Sequence, residues 1–330
     1  MTMSELAKWF ADKDDIAVIA HISPDGDAVG SAIAVKLAFE KLGKRACAVL
    51  ADGVPKKYRF LPDAQNVCFP DRLPFEPKCA FAVDTSEAFR MGAAQAVFDR
   101  APSRASMDHH ETNAGFGDAH YVDGTRASTG ELALEFAKAI GAQIDPDIAA
   151  NIFVALATDT GNFNYISTDA RAYRAAAECV EAGAQVGPLT RLAFRTRSLA
   201  RTRLLGEALS GIRTTHGGKI AYLHVDADML ARTGASLEDA TSISNYVNEV
   251  EGVMIGVYFE EQTDNTKISW RAACDLNVAE LASFFGGGGH KAAAGANIRL
   301  PMDEAMKAVL DKTGEALAAF EESLAGGAEK

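Results

Sequence analysis

The chain has 330 residues, 48% of them hydrophobic, and a formal net charge of −12 at pH 7. This is enough for two ordinary domain cores, and the acidic balance argues against a protein that tracks long nucleic acid through a basic surface. No apolar run is long enough to span a bilayer and no signal-peptide core is visible, so we expect a cytoplasmic protein. The five scattered cysteines predict buried free thiols.

The N-terminal half alternates strand and helix patterns. DIAVIA, RACAVL, CAFAV and RASM are short apolar strand candidates, and SAIAVKLAFEKLG has helical periodicity. Two more helices are predicted from STGELALEFAKAIG, with a Ser128/Glu131 capping box, and from PDIAANIFVALATDTG, which opens at Pro146. This alternation predicts an α/β domain over residues 1–186, in which a mostly parallel sheet carries helices on both faces.

Residues 187–212 show a helical pattern without strand alternation, so we predict a helical connector between two domains. Arginines in this connector could reach a phosphate, although a solvated helix face is the simpler interpretation. They are Arg191, Arg195, Arg197, Arg201 and Arg203. The strand candidates KIAYLHV, VMIGVYFEE and TKISWRAAC, with the helix candidate NVAELASFF and a long last helix, predict a smaller α+β domain over residues 213–330.

Acidic and histidine side chains fall in four short segments of the N-terminal domain. HISPDGD, VDTSE and DHH each follow a strand candidate, and TDTGNF follows a helical run. Carboxylates and imidazoles are ligands for hard to borderline divalent metals. The set is larger than one ion needs, which predicts a two-metal site that clamps both oxygens of a phosphoryl displacement. Its members are His21, Asp25, Asp27, Asp84, Asp108, His109, His110 and Asp159.

The order of these motifs resembles the DHH phosphoesterase superfamily. An H-x-x-x-D-x-D-x-x-G-S spacing begins at His21, and Asp108-His109-His110 is the triplet that gives the superfamily its name. The segment SWRAACDLNVAELASFFGGGGHKAAAGANI is similar to the DHH-associated domain. A short chain of two domains most resembles the NrnA group, whose members degrade very short RNA and often dephosphorylate 3′-phosphoadenosine 5′-phosphate.

The resemblance implies how the ligands are divided between two ions. Those implied for one ion are His21, Asp25 and Asp84. Those implied for the second ion are Asp27, Asp84, His109 and Asp159. The shared carboxylate of Asp84 would then bridge the two ions. Mixed imidazole and carboxylate ligation favours Mn²⁺, with Mg²⁺, Co²⁺ or Zn²⁺ as substitutes.

Two side chains beside the ligands are assigned to catalysis. The resemblance implies that His110 contacts the scissile phosphate or assists the leaving oxygen. Asp108 either orients one of the metal ligands or only caps its own loop, and the two interpretations have equal weight. Gly30 and Ser31 are predicted to open a helix, whose free amides could hold the loop or an anion.

The C-terminal domain carries the predicted substrate residues. A glycine run is by itself most often a flexible turn, but backbone amides can also cradle a phosphate, and the resemblance favours that role. The residues concerned are Gly286, Gly287, Gly288, Gly289 and His290. Arg271 lies on a strand candidate, and arginine binds phosphate bidentately. The family pattern has a second serine directly after this arginine, where the present chain has Ala272.

We therefore expect a two-metal phosphoesterase whose substrates are short RNA or DNA oligonucleotides and nucleotide bisphosphates such as 3′-phosphoadenosine 5′-phosphate. The alternatives are another hydrolase of the superfamily or a noncatalytic nucleotide-binding protein. The former class includes linear or cyclic dinucleotide phosphodiesterases, manganese pyrophosphatases and RecJ-like single-strand exonucleases. A noncatalytic protein predicts broken ligand motifs, whereas every ligand position is occupied. No membrane association is expected, and a homodimer is left open.

Overall fold

The computed structural model describes residues 1–165, 167–241 and 243–327. The chain divides into two compact units, which meet along the sequence between Thr196 and Arg197. This point falls inside the predicted connector 187–212. Unit 1 contains the predicted metal residues, and unit 2 contains the predicted substrate residues.

Unit 1 is built on a five-stranded parallel sheet with the strand order β2-β1-β3-β4-β5. Its strands are β1 (Ile16–Ile19), β2 (Ala46–Val49), β3 (Cys79–Val83), β4 (Ser103–Asp108) and β5 (Ala119–Val122). The four strand candidates of the sequence are confirmed. The edge strand β5 was not predicted, because its four residues are mostly polar or half-exposed and carry little apolar signal.

The described part of unit 1 also contains seven α-helices. They are α1 (Met3–Trp9), α2 (Gly26–Lys41), α3 (Gln95–Arg100), α4 (Thr129–Ala139), α5 (Pro146–Asp159), α6 (Ala170–Glu181) and α7 (Val186–Thr190). Side chains alternate along the buried strands: Val18 and Phe81 pack in the core that contains α2, α4 and α5, while Ala17 and Ala80 pack on the opposite face with α3. The predicted α/β class, with helices on both faces of a parallel sheet, is confirmed.

The start of α2 differs from the prediction. The helix begins at Gly26 because the carboxylate of Asp25 caps it, accepting the backbone N–H groups of Asp27 and Ala28, both at 3.0 Å. Gly30 therefore lies inside the helix and offers no free terminal amide, so the predicted anion-binding role there is wrong. Its lack of a side chain lets α5 approach, since a Cβ at this position would lie 2.4 Å from the carbonyl oxygen of Asn151.

Unit 2 contains a six-stranded sheet with the order β10-β11-β9-β8-β7-β6, in which only β7 and β8 pair in parallel. Its strands are β6 (Arg213–Thr215), β7 (Ile220–Val225), β8 (Ile255–Glu261), β9 (Thr266–Ala272), β10 (Gly288–His290) and β11 (Ala293–Ile298). Its α-helices are α8 (Leu199–Ser210), α9 (Ala227–Thr233), α10 (Val278–Phe284) and α11 (Met302–Gly327). The predicted α+β organisation is confirmed, and the glycine run forms part of an edge strand.

The predicted connector is not one continuous helix. It comprises α7, a π-helical turn at Arg191–Arg195, an extended stretch and then α8. Leu204 and Ala208 of α8 are buried in a core of unit 2, with Leu223 and Val225 of β7. Within the described ranges, no helix has both the length and the apolar character needed to cross a membrane.

Candidate metal centre

The strand order of unit 1 determines where the candidate site lies. Strand β1 has β2 on one side and β3 on the other, so the direction of the chain order reverses there. Ligands of open α/β sheets bind at such a point, outside the carboxyl ends of the strands. His21 follows β1, Asp84 follows β3, and Asp108 ends β4. Asp84 has a left-handed φ of 53°, and its N–H donates to the carbonyl of Met107 at 3.1 Å.

One group of candidate ligands comprises His21, Asp25 and Asp84. The His21 Nε2 lies 3.5 Å from Asp84 Oδ2 and 3.9 Å from Asp25 Oδ1. The other ring nitrogen, Nδ1, lies 2.7 Å from the carbonyl oxygen of Ile22. A carbonyl only accepts hydrogen bonds, so Nδ1 carries the proton and Nε2 is left to bind a metal. This group is the set implied for the first ion.

A second group comprises Asp27, His109 and Asp159. The His109 Nε2 lies 3.2 Å from Asp159 Oδ2, and 3.8 Å from both Asp27 Oδ2 and Asp84 Oδ1. The Nδ1–H of His109 donates to the carbonyl of Arg126 at 3.2 Å, which again directs Nε2 into the cluster. Asp84 directs one carboxylate oxygen at His21 and the other at His109, so its geometry suits a carboxylate that bridges two metal ions.

The cluster carries an excess of negative charge. Among the described residues, its four carboxylates have ion-pair contacts with histidines only. Burial and neighbouring carboxylates raise the pKa of Asp27 well above its usual range, and burial raises the pKa of Asp159 to about 7. Burial also opposes ionisation of Asp84, but the hydrogen bond from His21 and the nearby imidazoles outweigh it and lower its pKa. Such a group of oxygen and nitrogen donors, with excess negative charge, is suited to binding divalent cations.

The N-terminus of α4 positions two of these carboxylates. The backbone N–H groups of Thr129 and Gly130 donate to Asp27 Oδ2 at 2.7 Å and Oδ1 at 2.8 Å. The Thr129 hydroxyl donates to Asp84 Oδ1 at 3.0 Å, and Ser31 donates to Asp27 at 3.0 Å. These free amides occur at every helix start, and they stabilise an anion there. The sequence analysis identified this helix start but missed its role, because 102 residues separate Asp27 from Thr129.

Asp108 holds its own loop and the ring of His110, which lies outside the implied ligand set. It is fully buried, and its Oδ1 accepts the His109 N–H at 2.9 Å and the His110 Nδ1–H at 2.8 Å, so it caps the loop and orients His110. Its Oδ2 accepts Asn113 Nδ2 at 2.7 Å. The hydrogen bond to Asp108 raises the pKa of His110 to about 9, so this half-buried imidazole is charged at neutral pH. His110 Nδ1 lies 3.9 Å from Asp84 Oδ1, at the border of the cluster.

In unit 2, Arg271 lies on β9 with its guanidinium held in place. Nε donates to Asn245 Oδ1 at 3.2 Å, and Nη2 donates to Ser244 Oγ at 2.9 Å. Arg271 pairs with Ala293 across β9 and β11, and Ala293 pairs with His290 across β11 and β10. Directly paired residues project from the same face of a sheet, so Arg271 and His290 flank a small residue on one face, about 10 Å apart.

The glycine run has a structural function that the sequence analysis did not foresee. The N–H of Gly286 donates to Ser283 O at 3.0 Å, and that of Gly287 donates to Ala282 O at 2.8 Å, so these amides close the end of α10. A Cβ on Gly287 would lie 2.1 Å from Gly295 O, so the absence of a side chain permits the close approach of β11. Gly288 and Gly289 are exposed on the edge strand.

Comparison with known proteins identifies the family. The DHH family, N-terminal domain, matches residues 15–158, and the DHHA1 domain matches residues 217–325. A "Bifunctional oligoribonuclease and PAP phosphatase NrnA" from Thermus thermophilus is 33% identical over 306 residues, which cover 92% of this chain and 90% of the relative. The chain belongs to the DHH family. The family predicted from the sequence is confirmed. The predicted functional class, a nucleotide phosphoesterase, is confirmed as well.

Solved structures agree with the assignment of this chain to the DHH family. An exopolyphosphatase-related protein from Bacteroides fragilis aligns with a TM-score of 0.88 and 25% identity, covering 95% of each chain. Exonuclease RecJ bound to manganese aligns with a TM-score of 0.55 and 13% identity, covering 96% of this chain and 94% of that one, and it shows the fold alone. The α/β fold is therefore that of DHH-family structures.

Proposed function

We propose that the protein is a two-metal phosphoesterase that hydrolyses short oligonucleotides, including nanoRNA and dinucleotides, and 3′-phosphoadenosine 5′-phosphate. The observation that carries this proposal is the shared position of Asp84, whose two oxygens face two separate groups of ligand atoms. The names of the NrnA relatives support the substrate class. Mn²⁺ is the proposed ion, because mixed imidazole and carboxylate ligation suits it.

The residues of the cluster divide into two sets. His21, Asp25 and Asp84 would hold one ion. The other ion would be held by Asp27, Asp84, His109 and Asp159. When bound, two divalent ions supply Lewis acidity, which activates water as a nucleophile and neutralises charge on the phosphate. The buried α4 N-terminus keeps Asp27 and Asp84 in place.

His110 is the proposed proton donor. Its Nδ1–H is held by Asp108 at 2.8 Å, which leaves Nε2–H to contact the scissile phosphate or the leaving oxygen. With a pKa raised to about 9, the ring carries both protons at neutral pH. A positioned imidazolium can stabilise the phosphate charge and give its Nε2 proton to the departing alkoxide. Asp108 then serves as the group that orients the donor.

The exposed face of unit 2 is proposed to hold the remainder of the substrate. Arg271 has a fixed guanidinium, and His290 lies on the same face with the small Ala293 between them. The exposed edge from Gly288 to His290 would allow close approach of a nucleotide backbone. Binding energy gathered away from the metals can align the scissile phosphate. The proposed division is a catalytic domain over residues 1–186, a connector over residues 187–212 and a substrate-binding domain over residues 213–330.

Product analysis of the manganese-loaded protein tests the proposed function. The panel contains a dinucleotide, oligomers of increasing length, 3′-phosphoadenosine 5′-phosphate and inorganic pyrophosphate, with Asp84→Ala as the inactive control. We expect mononucleotide products from the shortest oligomers and AMP from the bisphosphate. Activity confined to pyrophosphate or to long single strands would contradict the proposal and favour another branch of the superfamily. Nucleotide binding without any hydrolysis would favour a noncatalytic protein.

A further inference from the structure

Unit 1 contains a second concave surface, outside the ligand cluster, with a volume of about 650 Å³. We call it the α5–α7 hollow. Its apolar lining includes Phe153 of α5, Phe163 of the loop after α5, and Val180 of α6. Arg191 and Arg195, on the π-helical turn after α7, also line it. A hollow with an apolar lining and a few cationic groups is the usual form of a small-molecule site.

Two aromatic rings line the hollow, Phe153 and Phe163, and a third ring, Tyr173, stacks on Phe163 next to it. The centroids of Phe153 and Phe163 are 6.0 Å apart, and those of Phe163 and Tyr173 are 5.4 Å apart with an interplanar angle of 24°. Tyr173 is 56% exposed. It shares a face of α6 with Val180, seven residues later, which is 51% exposed. Flat exposed rings of this kind are platforms on which nucleobases stack, with little preference among bases.

The structure separates the five arginines that the sequence grouped together. Arg197 donates to the Tyr246 hydroxyl at 2.8 Å, and Arg201 donates to the Thr241 carbonyl at 2.6 Å, so both are engaged within unit 2. Arg191 and Arg195 instead line the hollow. Across the described residues, neither of these two guanidinium groups forms an ion pair with a carboxylate. Two such guanidinium groups beside an aromatic stack, in a chain of net charge −12, complement a phosphate.

The hollow adjoins the metal centre through α5. Asp159, a candidate ligand, is the last residue of this helix, and Phe153 lies six residues before it, about 9 Å along the axis. Asn162 and Phe163 follow Asp159 by only three and four residues and also line the hollow. Their left-handed φ angles of 58° and 66° turn the chain, and the Phe163 N–H donates to the Thr160 hydroxyl at 3.0 Å. A single nucleoside could span such a distance.

We propose that the α5–α7 hollow is a nucleotide subsite, which binds a phosphate through Arg191 and Arg195 and stacks one base on Tyr173, the exposed ring of the Phe163–Tyr173 pair beside it. This inference rests on the proposed function, since it places in the hollow a nucleotide that neighbours the scissile phosphate. The subsite accepts any base, because stacking and phosphate contacts carry no base-specific hydrogen bonds. Through this subsite, unit 1 would bind the substrate independently of Arg271 and His290.

Direct binding of 5′-AMP to the manganese-loaded protein, followed by calorimetry, tests the subsite. In the Arg191→Gln/Arg195→Gln double variant we expect the affinity to fall by about tenfold or more, since both charge-assisted contacts to the phosphate are lost. Tyr173→Ala should weaken AMP binding by roughly tenfold, and Tyr173→Phe should not, because the ring is retained. Arg174→Gln, an exposed arginine of α6 outside the hollow, is the matched control.

Kinetics separate this subsite from the metal chemistry. The same variants should raise KM for a dinucleotide and leave both manganese affinity and the hydrolysis of bis(p-nitrophenyl) phosphate unchanged. The subsite would be overturned if the double variant lost no more AMP affinity than Arg174→Gln does. It would also be overturned if hydrolysis of the dinucleotide and of bis(p-nitrophenyl) phosphate fell equally. Inorganic phosphate binding as tightly as AMP would overturn the stacking platform.

If wild-type protein hydrolyses neither ester, the proposed function fails, and AMP binding still decides the subsite. A dimer that Tyr173→Ala dissociates, without AMP binding, would assign the hollow to a second copy.

Discussion

The candidate metal centre of unit 1 and the proposed substrate face of unit 2 are built in different ways. The former is a set of mostly buried carboxylates and imidazoles at the ends of β1, β3, β4 and α5 and at the start of α2, and most of these side chains accept or donate a further hydrogen bond. The latter is a half-exposed arginine and an exposed histidine on adjacent strands of one sheet, with small residues between them. A site that must hold two ions close together needs rigid donors, whereas a surface that binds varied nucleotides needs access.

The difference also appears in the electrostatics. In unit 1, burial and the neighbouring carboxylates raise the pKa values of Asp25, Asp27 and Asp159. On the proposed substrate face, Arg271 donates to the neutral side chains of Asn245 and Ser244. Changes in the ligand cluster should therefore abolish chemistry, whereas changes on the proposed substrate face should weaken binding. Four measurements test this contrast.

The largest effect is expected from Asp84→Ala. Its carboxylate faces both ligand groups, so its removal should deplete both ions and lower kcat/KM on a dinucleotide by about a thousandfold or more. Metal content by mass spectrometry and steady-state kinetics provide the measurement. Asp71→Ala removes an exposed aspartate of the same unit and should change neither quantity. An Asp84→Ala protein that retains both ions and turnover would refute the bridge.

His110→Ala should lower turnover by a factor on the order of a hundred, the usual contribution of a general acid, and should keep most of the bound metal. His109→Ala is the informative comparison, because its Nε2 faces three carboxylates and its loss should deplete metal as well. Equal metal loss in the two variants would mean that His110 is a ligand. His120→Ala, an exposed histidine on β5, serves as the control.

Arg271→Ala and His290→Ala should raise KM for a dinucleotide by about tenfold, the effect of one lost charge-assisted hydrogen bond, and kcat should also fall if these contacts align the phosphate. Hydrolysis of bis(p-nitrophenyl) phosphate should change little. Arg299→Ala, an exposed arginine of unit 2, is the control. If hydrolysis of both substrates falls equally, the two residues support the fold and do not bind the nucleotide.

The smallest effect is a pH dependence of metal-induced stability. Asp25, Asp27 and Asp159 have raised pKa values, up to about 7 for Asp159, so the metal-free fold is favoured while they are protonated and loses stability as pH rises from about 4 through 7. His21 acts in the same direction, and Asp84 acts in the opposite one. Bound cations should offset this loss.

Calorimetry with EDTA or Mn²⁺ at pH 5.5 and pH 8 provides the measurement. At one fixed manganese concentration, a hundredfold above the Kd measured at pH 8, the gain in Tm should be about 5–10 °C at pH 8 and smaller at pH 5.5. It should disappear in Asp84→Ala. A gain that is the same at both pH values would show that ionisation of the cluster does not limit the stability of the metal-free protein.

The sequence by itself determined the fold class and the membership of the ligand cluster. CAFAV is a short, fully apolar run and RASM leads directly into the DHH triplet, so local pattern alone identifies both strands. Polar residues directly after parallel strands must share one edge of the sheet, which is why His21, Asp84 and His109 could be grouped without coordinates. The homodimer, the cytoplasmic location and the preferred substrate stay predictions.

Only the tertiary structure decided the contacts between distant segments. The amides of Thr129 and Gly130 hold Asp27 across more than a hundred residues, and no local pattern encodes that distance. The start of α2 at Gly26 depends on a cap by Asp25, a residue that the sequence assigns equally well to a metal. The connector arginines look alike in sequence, yet packing engages Arg201 and leaves Arg195 beside the hollow. Sequence patterns record burial and periodicity, whereas the partner of a polar group depends on which elements the fold brings together.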